Sequence, residues 1–319
     1  MSTDPKNCRS TIDALLDAAP VLLDGGLATE LEAQGHNIDG VLWSAMLLRT
    51  QPQAIVDVHR AYLDTGAEII ISASYQASRA GFHQLGIEAD EADALIASSV
   101  TLARQACDDY HKANTEVERP RCVAASVGPY GAVLMDGSEY TGDYGVSSDV
   151  LRDFHEQRLQ LLDRSGADVL ACETMPSLQE AEVLADLLTT VQTPAWVSFT
   201  GRDGSAIADG TAIAEVAALF RDHPGVFALG INCTAPQYVR QLVEGLVAAA
   251  PNKAILAYPN SGEHYEASDN SWSGVVTEND FAAASQCWLD AGATLIGGCC
   301  RVGPKHIAAM AKACSATTR

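Results

Sequence analysis

The stretch Arg164–Cys172, RSGADVLAC, contains the pattern that decides the fold. A polar helix end is followed by Gly166, then by the polar Asp168, and then by a short apolar run. Glycine adopts positive φ angles without a steric penalty, so it can end a helix and return the chain to a sheet. A continuous apolar run is typical of a parallel strand that is covered on both faces. The stretch therefore predicts a helix, a reversal and a buried parallel strand.

The same step occurs at Asp64–Glu68 (DTGAE) and at Asp290–Thr294 (DAGAT). Eight apolar runs are candidate strands: Val21–Asp24, Glu68–Ala73, Cys122–Val127, Asp168–Cys172, Ala195–Phe199, Val226–Ile231, Ala254–Tyr258 and Thr294–Ile296. Strands that alternate with amphipathic helices in this number predict a (β/α)8 TIM barrel, and we expect residues 1–319 to form a single domain. A doubly wound open sheet is the alternative, although the first strand lacks the GxGxxG turn of a dinucleotide-binding fold.

Composition limits the partners of the chain. Acidic residues outnumber basic ones by 41 to 20, which gives a formal charge of −21. Such a charge repels nucleic acids and anionic membranes. It could favour a cationic small molecule, but the better supported interpretation is that the charge maintains solubility. No run approaches the roughly 18 apolar residues of a membrane-spanning helix, and no signal-peptide pattern is present. We expect a cytoplasmic protein that is a monomer or a small homo-oligomer.

Three of the nine cysteines follow predicted strands. Cys233 follows the sixth strand, and Cys299 and Cys300 follow the eighth, so a barrel would bring them to the end where TIM barrels have their active sites. Three thiolates suit Zn²⁺ and leave its fourth tetrahedral position open, as in catalytic zinc sites. Gly297 and Gly298 are expected to let the chain turn so that both adjacent cysteines reach one metal.

Two other interpretations of these cysteines stay open from spacing alone. Buried cysteines often act only as small apolar residues, and Cys299 with Cys300 could form a redox-active vicinal disulfide. A general disulfide framework is not expected, because the number of cysteines is odd and the chain is large.

Two carboxylates end predicted strands at the same side of the barrel. Asp24 follows the first strand and Glu173 follows the fourth. Together they suit a substrate ammonium group, while the amides of Gly25 and Gly26 suit a carboxylate, which describes an α-amino-acid site. Asp24 could instead cap the next helix, and Glu173 could pair with an arginine at the rim.

Residues 128–144, GPYGAVLMDGSEYTGDY, are too long for a plain turn between strand and helix. We expect this loop to fold over the mouth and cover a substrate, with Tyr130, Tyr140 and Tyr144 available for cation–π contacts. An ordinary surface loop is the alternative.

Other polar residues have simpler predicted roles. Ser177 with Glu180 three residues later is a capping-box pattern at a helix start. The histidines show no paired metal-binding spacing, so those in helical stretches, such as His155, are expected at the surface or behind the site.

Five motifs together resemble the homocysteine S-methyltransferase family, and the resemblance spans nearly the whole chain. They are DGG with TELE (Asp24–Glu32), SYQAS (Ser74–Ser78), GPYGA (Gly128–Ala132), GINCT (Gly230–Thr234) and GGCC (Gly297–Cys300). The chain is most similar to the stand-alone enzymes that use S-methylmethionine or S-adenosylmethionine. Within residues 1–319 we therefore expect neither the C-terminal extension of betaine-dependent relatives nor the cobalamin or folate modules of methionine synthases.

The resemblance implies a zinc-dependent transfer of a methyl group from a sulfonium donor to the thiol of L-homocysteine, which gives L-methionine. It implies Zn²⁺ at Cys233, Cys299 and Cys300, and the homocysteine amino group near Asp24 and Glu173. The other implied substrate-binding residues are Gly25, Ser72, Ser74 and Asn232. The alternatives are a betaine-type, selenocysteine or selenohomocysteine methyltransferase, and a non-enzymatic vicinal-thiol redox protein.

Overall fold

Eight parallel strands form one sheet in the computed structural model, which describes residues 5–37, 43–134, 136–262, 264–266, 271–273 and 276–317. The strands are β1 (Val21–Leu22), β2 (Ile69–Ile71), β3 (Cys122–Val127), β4 (Val169–Met175), β5 (Ala195–Phe199), β6 (Val226–Asn232), β7 (Ala254–Tyr258) and β8 (Leu295–Ile296). They pair in the order β1-β8-β7-β6-β5-β4-β3-β2, and a bridge between Leu23 and Ile69 joins the two ends. The (β/α)8 barrel is confirmed, and the open-sheet alternative is wrong.

Helices alternate with the strands, and most of them cover the outside of this sheet. They are α1 (Pro5–Leu16), α2 (Leu27–Ala33), α3 (Leu47–Thr50), α4 (Pro52–Asp64), α5 (Arg79–Gln84), α6 (Ala89–Ala113), α7 (Gly131–Leu134), α8 (Ser148–Asp163), α9 (Leu178–Leu187), α10 (Ile213–Phe220), α11 (Pro236–Ala249), α12 (Glu278–Asp290) and α13 (Pro304–Thr317). Short 3₁₀ helices span Trp43–Met46 and Ser138–Tyr140, and His264–Glu266 pairs with Ser271–Ser273 in an antiparallel hairpin. No helix in the described ranges is long and apolar enough to cross a bilayer.

The three glycine steps end helices as predicted. Gly66, Gly166 and Gly292 have φ angles of 111°, 87° and 111°, a region that residues with a Cβ rarely adopt. Each lies three residues before the first residue of a barrel strand. The local pattern in RSGADVLAC therefore produces the repeated reversal on which the barrel depends.

The barrel interior is filled by side chains from the strands, including Trp196, Leu256 and Leu295. Ile12 and Leu15 of α1 belong to the same buried cluster. Since α1 leads into the start of β1 and packs its apolar side chains against the barrel interior, it closes the end of the barrel where the strands begin. The opposite end, where the strands finish, is left for a binding site.

Candidate active site

A cleft lies at the carboxyl ends of the strands and encloses about 890 Å³ of empty space, part of it open to solvent. Its lining comes partly from strand ends, with Glu173, Cys233 and Cys299 among them, and partly from the loop that contains Glu139 and Tyr140. The predicted position of the site is therefore where the structure has its cleft.

Three thiols meet at one side of this cleft. The Sγ atom of Cys233 lies 2.7 Å from that of Cys299 and 3.8 Å from that of Cys300. All three sulfurs lie within 4.8 Å of one another. The cysteines are free thiols, and the shortest separation involves Cys233 rather than the vicinal pair, so the geometry does not favour a Cys299–Cys300 disulfide.

This donor set fits a soft divalent cation. Sulfurs that share one tetrahedral zinc lie roughly 3.8 Å apart, given Zn–S bonds of about 2.3 Å. The separation between Cys233 and Cys300 matches this value, whereas Cys233 and Cys299 lie closer together, at 2.7 Å. Hydrogen bonds from Cys233 and Cys299 hold the pKa of Cys300 well below its usual range, so one sulfur already favours the thiolate form. Within the described residues no histidine or carboxylate joins the cluster. Three protein ligands would leave a fourth position open.

Gly297 and Gly298 act differently from the prediction. Neither has a positive φ, whereas Arg301, one residue beyond the cysteines, has φ 66°. A Cβ on Gly297 would lie 2.6 Å from the Cβ of Leu23, and one on Gly298 would lie 2.1 Å from Cγ1 of Val302. Glycine is therefore required by close packing of the chain after β8, not by a left-handed turn.

Asp24 is fully buried two residues after the end of β1, and it is not among the residues that line the cleft, although its neighbour Gly25 is. Its Oδ2 accepts a hydrogen bond from the N–H of Ile71 at 2.8 Å, whereas its Oδ1 is buried and has no hydrogen-bond partner among the described residues. Burial, and to a lesser extent the nearby Glu173, raise the pKa of Asp24 well above its usual range. The N-cap of α2 is Gly26 with no side-chain cap, so the capping interpretation of Asp24 is wrong.

Glu173 lies on β4 and is one of the residues that line the cleft. The hydroxyl of Ser126 donates a hydrogen bond to its Oε1. Burial raises the pKa of Glu173 to about 7, and hydrogen bonds from Ser126 and Tyr258 offset this only in part. Within the described part of the chain no arginine forms an ion pair with Glu173, so the alternative of a pairing with a rim arginine is wrong. An ammonium group between Asp24 and Glu173 would favour the ionised form of both.

Asn232 at the end of β6 supports the backbone next to Glu173. Its Oδ1 accepts hydrogen bonds from the Thr174 N–H and the Ser198 hydroxyl, both at 2.8 Å. Its Nδ2 donates to Oγ1 of Thr174 at 2.7 Å. Thr174 has φ 63°, which is costly for a β-branched residue and needs such support. Asn232 thus stabilises the irregular strand backbone beside Glu173, and it is not among the residues that line the cleft.

Ser72 and Ser74 are hydrogen-bonded to each other and to β3. Their Oγ atoms lie 2.8 Å apart, and Ser74 donates to the carbonyl of Ser126 at 2.8 Å. The N–H of Ser126 donates to Oγ of Ser72 at 3.1 Å. Because the Ser74 hydroxyl already donates to Ser126, the hydrogen bond between the two serines is donated by Ser72. Both hydroxyl hydrogens therefore have acceptors within the protein. Ser72 lines the cleft and Ser74 does not.

The amides after Asp24 are only partly available to a ligand. The N–H of Gly26 donates to the carbonyl of Val302 at 3.0 Å, so the expectation that it meets a substrate carboxylate is wrong. Gly25 lines the cleft, as expected for a residue whose amide meets a substrate.

The loop of residues 128–144 contributes Glu139 and Tyr140 to the cleft lining; residue 135 lies outside the described residues. Tyr130 and Tyr144 do not line the cleft, and their rings pack on each other with centroids 5.5 Å apart. Three tyrosines were expected to be available for cation–π contacts, and only Tyr140 lines the cleft. Sequence reasoning missed Glu139, and it missed Tyr75, which lines the cleft after β2.

Glu180 holds the far side of this loop. It is fully buried and accepts hydrogen bonds from the Tyr130 N–H at 2.6 Å and the Tyr144 hydroxyl at 2.9 Å. Nε2 of His155, which lies behind the site, is 2.7 Å from Oε1 of Glu180. Ser177 caps α9 by accepting from the N–H of Glu180, but the Glu180 carboxylate does not complete the predicted capping box. The carboxylate anchors the loop instead.

Arg158 of α8 supports the opposite edge of the loop. It is buried and donates hydrogen bonds to the carbonyls of Gly128 and, at 3.3 Å, Tyr75. Its guanidinium lies 4.6 Å from the ring centroid of Phe154. The loop of residues 128–144 is thus hydrogen-bonded to the buried Glu180 and Arg158, and the segment that contains Tyr75 is hydrogen-bonded to Arg158.

Similar proteins share this fold over most of their length. The profile of a family described as homocysteine S-methyltransferase matches residues 21–314. Homocysteine S-methyltransferase YbgG of Bacillus subtilis (strain 168) is 44% identical over 300 residues, which are 93% of this chain and 95% of that protein. Selenocysteine Se-methyltransferase of Brassica oleracea var. italica is 44% identical over 91% of this chain and 88% of its own. The crystal structure of the metallated form of homocysteine methyltransferase MmuM from Escherichia coli superposes with a TM-score of 0.85 at 43% identity, covering 94% of this chain and 98% of that one.

Proposed function

This chain belongs to the homocysteine S-methyltransferase family and is a methyltransferase; we propose that its methyl donor is a sulfonium compound, S-methylmethionine or S-adenosylmethionine, and that its cofactor is Zn²⁺. The acceptor is L-homocysteine and the product is L-methionine. The observation that carries the proposal is the convergence of three thiols and the buried carboxyl group of Glu173 on one cleft, with the buried carboxyl group of Asp24 near enough to Glu173 for the two to interact electrostatically.

Cys233, Cys299 and Cys300 would hold the metal. When bound, zinc would keep the homocysteine sulfur as a thiolate at neutral pH, where a free thiol with a pKa near 8.5 is mostly protonated. The metallated form of the related Escherichia coli enzyme supports a metal in this family. The all-sulfur ligand set supports zinc over a hard cation such as Mg²⁺.

Asp24 and Glu173 would bind the α-ammonium group of homocysteine. The unpaired Oδ1 of Asp24 supports this role, because a buried carboxylate oxygen without a donor is costly and a ligand N–H removes that cost. The Gly25 amide would meet the substrate carboxylate. We assign Asn232, Ser72 and Ser74 to positioning, since their polar groups are hydrogen-bonded within the protein.

A sulfonium donor suits the charge balance of this cleft. As the methyl group passes to a thiolate, the positive charge of the donor and the negative charge of the acceptor neutralise each other. A cleft that excludes water favours such charge loss over separated ions. The donor sulfur leaves as a neutral thioether, and with S-methylmethionine both products are methionine.

We further propose that residues 1–319 act as a single homocysteine-binding domain, as a monomer or a small homo-oligomer. A cytoplasmic setting would keep the three thiols reduced and available for a metal. The selenocysteine methyltransferase relative from Brassica oleracea supports a selenol acceptor as a second candidate.

The direct test is methionine formation by protein purified without chelator. Homocysteine is supplied with S-methylmethionine, S-adenosylmethionine or betaine in parallel, and zinc is quantified in the same sample. We expect turnover with a sulfonium donor, little with betaine, and about one zinc per chain. Turnover with betaine alone, or with no donor at all, would contradict the proposal. Selenocysteine in place of homocysteine tests the second candidate.

A further inference from the structure

Glu139 is a buried carboxylate that takes part neither in metal binding nor in homocysteine binding as proposed for this cleft. Its side chain is 7% exposed, although it lies in a 3₁₀ helix of the loop over the cleft. Its Oε2 is buried and has no hydrogen-bond partner among the described residues. A buried, unpaired carboxylate oxygen lowers stability unless a ligand supplies the missing partner.

The surroundings of Glu139 point to a ligand rather than to a structural partner. The residue lines the cleft together with Cys300, and the two groups are near enough for Cys300 to contribute to the raised pKa of Glu139. Burial is the main cause that raises this pKa to about 7. Within the described residues no arginine or lysine forms an ion pair with Glu139. A cation in the cleft would supply the missing positive charge.

Two aromatic side chains complete these surroundings. Tyr140 lines the cleft and is 38% exposed, and Tyr75 lines it from the loop after β2. Aromatic rings attract sulfonium and quaternary ammonium groups through cation–π interactions. Neither a homocysteine ammonium nor a metal needs this side, because Asp24, Glu173 and the cysteines lie at the strand ends.

We infer that the carboxylate of Glu139 is the counter-charge for the sulfonium centre of the methyl donor, and that Tyr75 and Tyr140 form the adjoining aromatic part of the donor subsite. The inference rests on the proposed function and extends it to residues that select a cationic donor. During transfer, the bond between the donor sulfur and its methyl carbon breaks, and that electron pair stays on the donor sulfur. The homocysteine sulfur supplies the pair for the new bond. Glu139 exchanges no proton.

The sulfonium charge disappears during transfer, and this predicts a specific kinetic signature. Glu139 stabilises the bound donor more than the transition state, in which the charge is already partly lost. Loss of the carboxylate should therefore raise the KM for the donor while kcat stays equal or rises. A residue that only maintained the fold would lower kcat, stability or both.

The experiment compares wild type with Glu139→Gln, Glu139→Asp and the matched control Asp143→Asn, which removes an exposed charge from the same loop. Each zinc-loaded protein is assayed at pH 8 with saturating homocysteine and varied S-methylmethionine. The des-amino analogue of S-methylmethionine, which keeps the sulfonium but lacks the ammonium, is measured as a competitive inhibitor. Thermal unfolding is recorded for all four proteins.

For Glu139→Gln we expect about a tenfold rise in the donor KM, a similar rise in the inhibition constant of the analogue, and no loss of kcat. Glu139→Asp should lie between, and Asp143→Asn should match wild type. An unchanged donor KM and inhibition constant in a folded Glu139→Gln protein overturn the inference. A higher KM for S-methylmethionine with an unchanged inhibition constant for the analogue also overturns it, because Glu139 would then pair with the ammonium group of the donor. If Glu139→Gln unfolds at a much lower temperature than wild type, the donor KM and the inhibition constant of Glu139→Asp decide whether the inference holds. Wild type that uses no sulfonium donor refutes the proposed function itself, independently of the variants.

Discussion

The two walls of the cleft are built in different ways. The strand-end wall consists of residues on barrel strands or within four residues after them, namely Gly25, Glu173, Cys233, Cys299 and Cys300. The fully buried Asp24 directly precedes Gly25 and belongs to the same end of the barrel. The loop wall consists of residues outside the strands, namely Tyr75, Glu139 and Tyr140. The sheet fixes the first wall, whereas contacts to helices behind the loop fix the second.

This difference separates two tasks. A metal and an amino-acid substrate need several groups held at fixed mutual positions, which strand ends in a closed sheet provide. A covering loop can provide selectivity for a second substrate without disturbing those positions. Substitutions in the two walls should therefore have separable effects.

The largest effect is expected for Cys299→Ser in the strand-end wall. A serine hydroxyl is a poor ligand for zinc in this site, so most bound zinc and at least about 99% of the activity should be lost. Metal content and turnover are measured on the same sample. Cys287→Ser, which changes an exposed thiol on α12, is the control and should behave like wild type. Full activity in zinc-free Cys299→Ser protein would show that the cysteines are not the metal centre.

The next largest effect is expected for Glu180→Gln, which weakens the anchor of the loop wall. The charge-assisted hydrogen bonds to Tyr130 and Tyr144 are weakened in a buried site, which should cost about 2–3 kcal/mol of unfolding free energy. The donor KM should rise while zinc content and homocysteine KM stay constant. Glu182→Gln, an exposed change on the same helix, is the matched control. An equal rise in both KM values would mean that the walls are not independent.

A smaller effect concerns the pH dependence of stability. Burial raises the pKa of Glu139 from 4.5 to about 7, so the folded protein holds this proton more tightly than the unfolded chain. The ionised carboxylate therefore destabilises the fold; this cost is absent below about pH 4.5, grows between 4.5 and 7, and is complete above 7. Glu139→Gln should be more stable than wild type by about 3 kcal/mol at pH 8 and by nearly nothing at pH 4.5. Chemical denaturation at both pH values measures the difference, and a constant difference would contradict the assignment of the pKa.

The two walls also differ in how far they could be predicted. Cys233 and Glu173 were found because continuous apolar runs and glycine steps mark strands, and the ends of parallel strands meet at one side of a barrel. Glu139 was missed because its position depends on a loop conformation set by Glu180, which is distant in sequence. The roles of Asn232 and Gly298 were missed for a related reason, since both depend on close contacts between segments that no local pattern specifies.

The division of tasks between the walls is tested most directly by a crossed kinetic measurement. Asp24→Asn and Glu139→Gln are assayed side by side for the KM of homocysteine and the KM of S-methylmethionine, with zinc content verified in each. We expect Asp24→Asn to raise only the homocysteine value and Glu139→Gln to raise only the donor value, each by about tenfold. If both variants raise the KM of the same substrate, the assignment of one substrate to each wall is wrong.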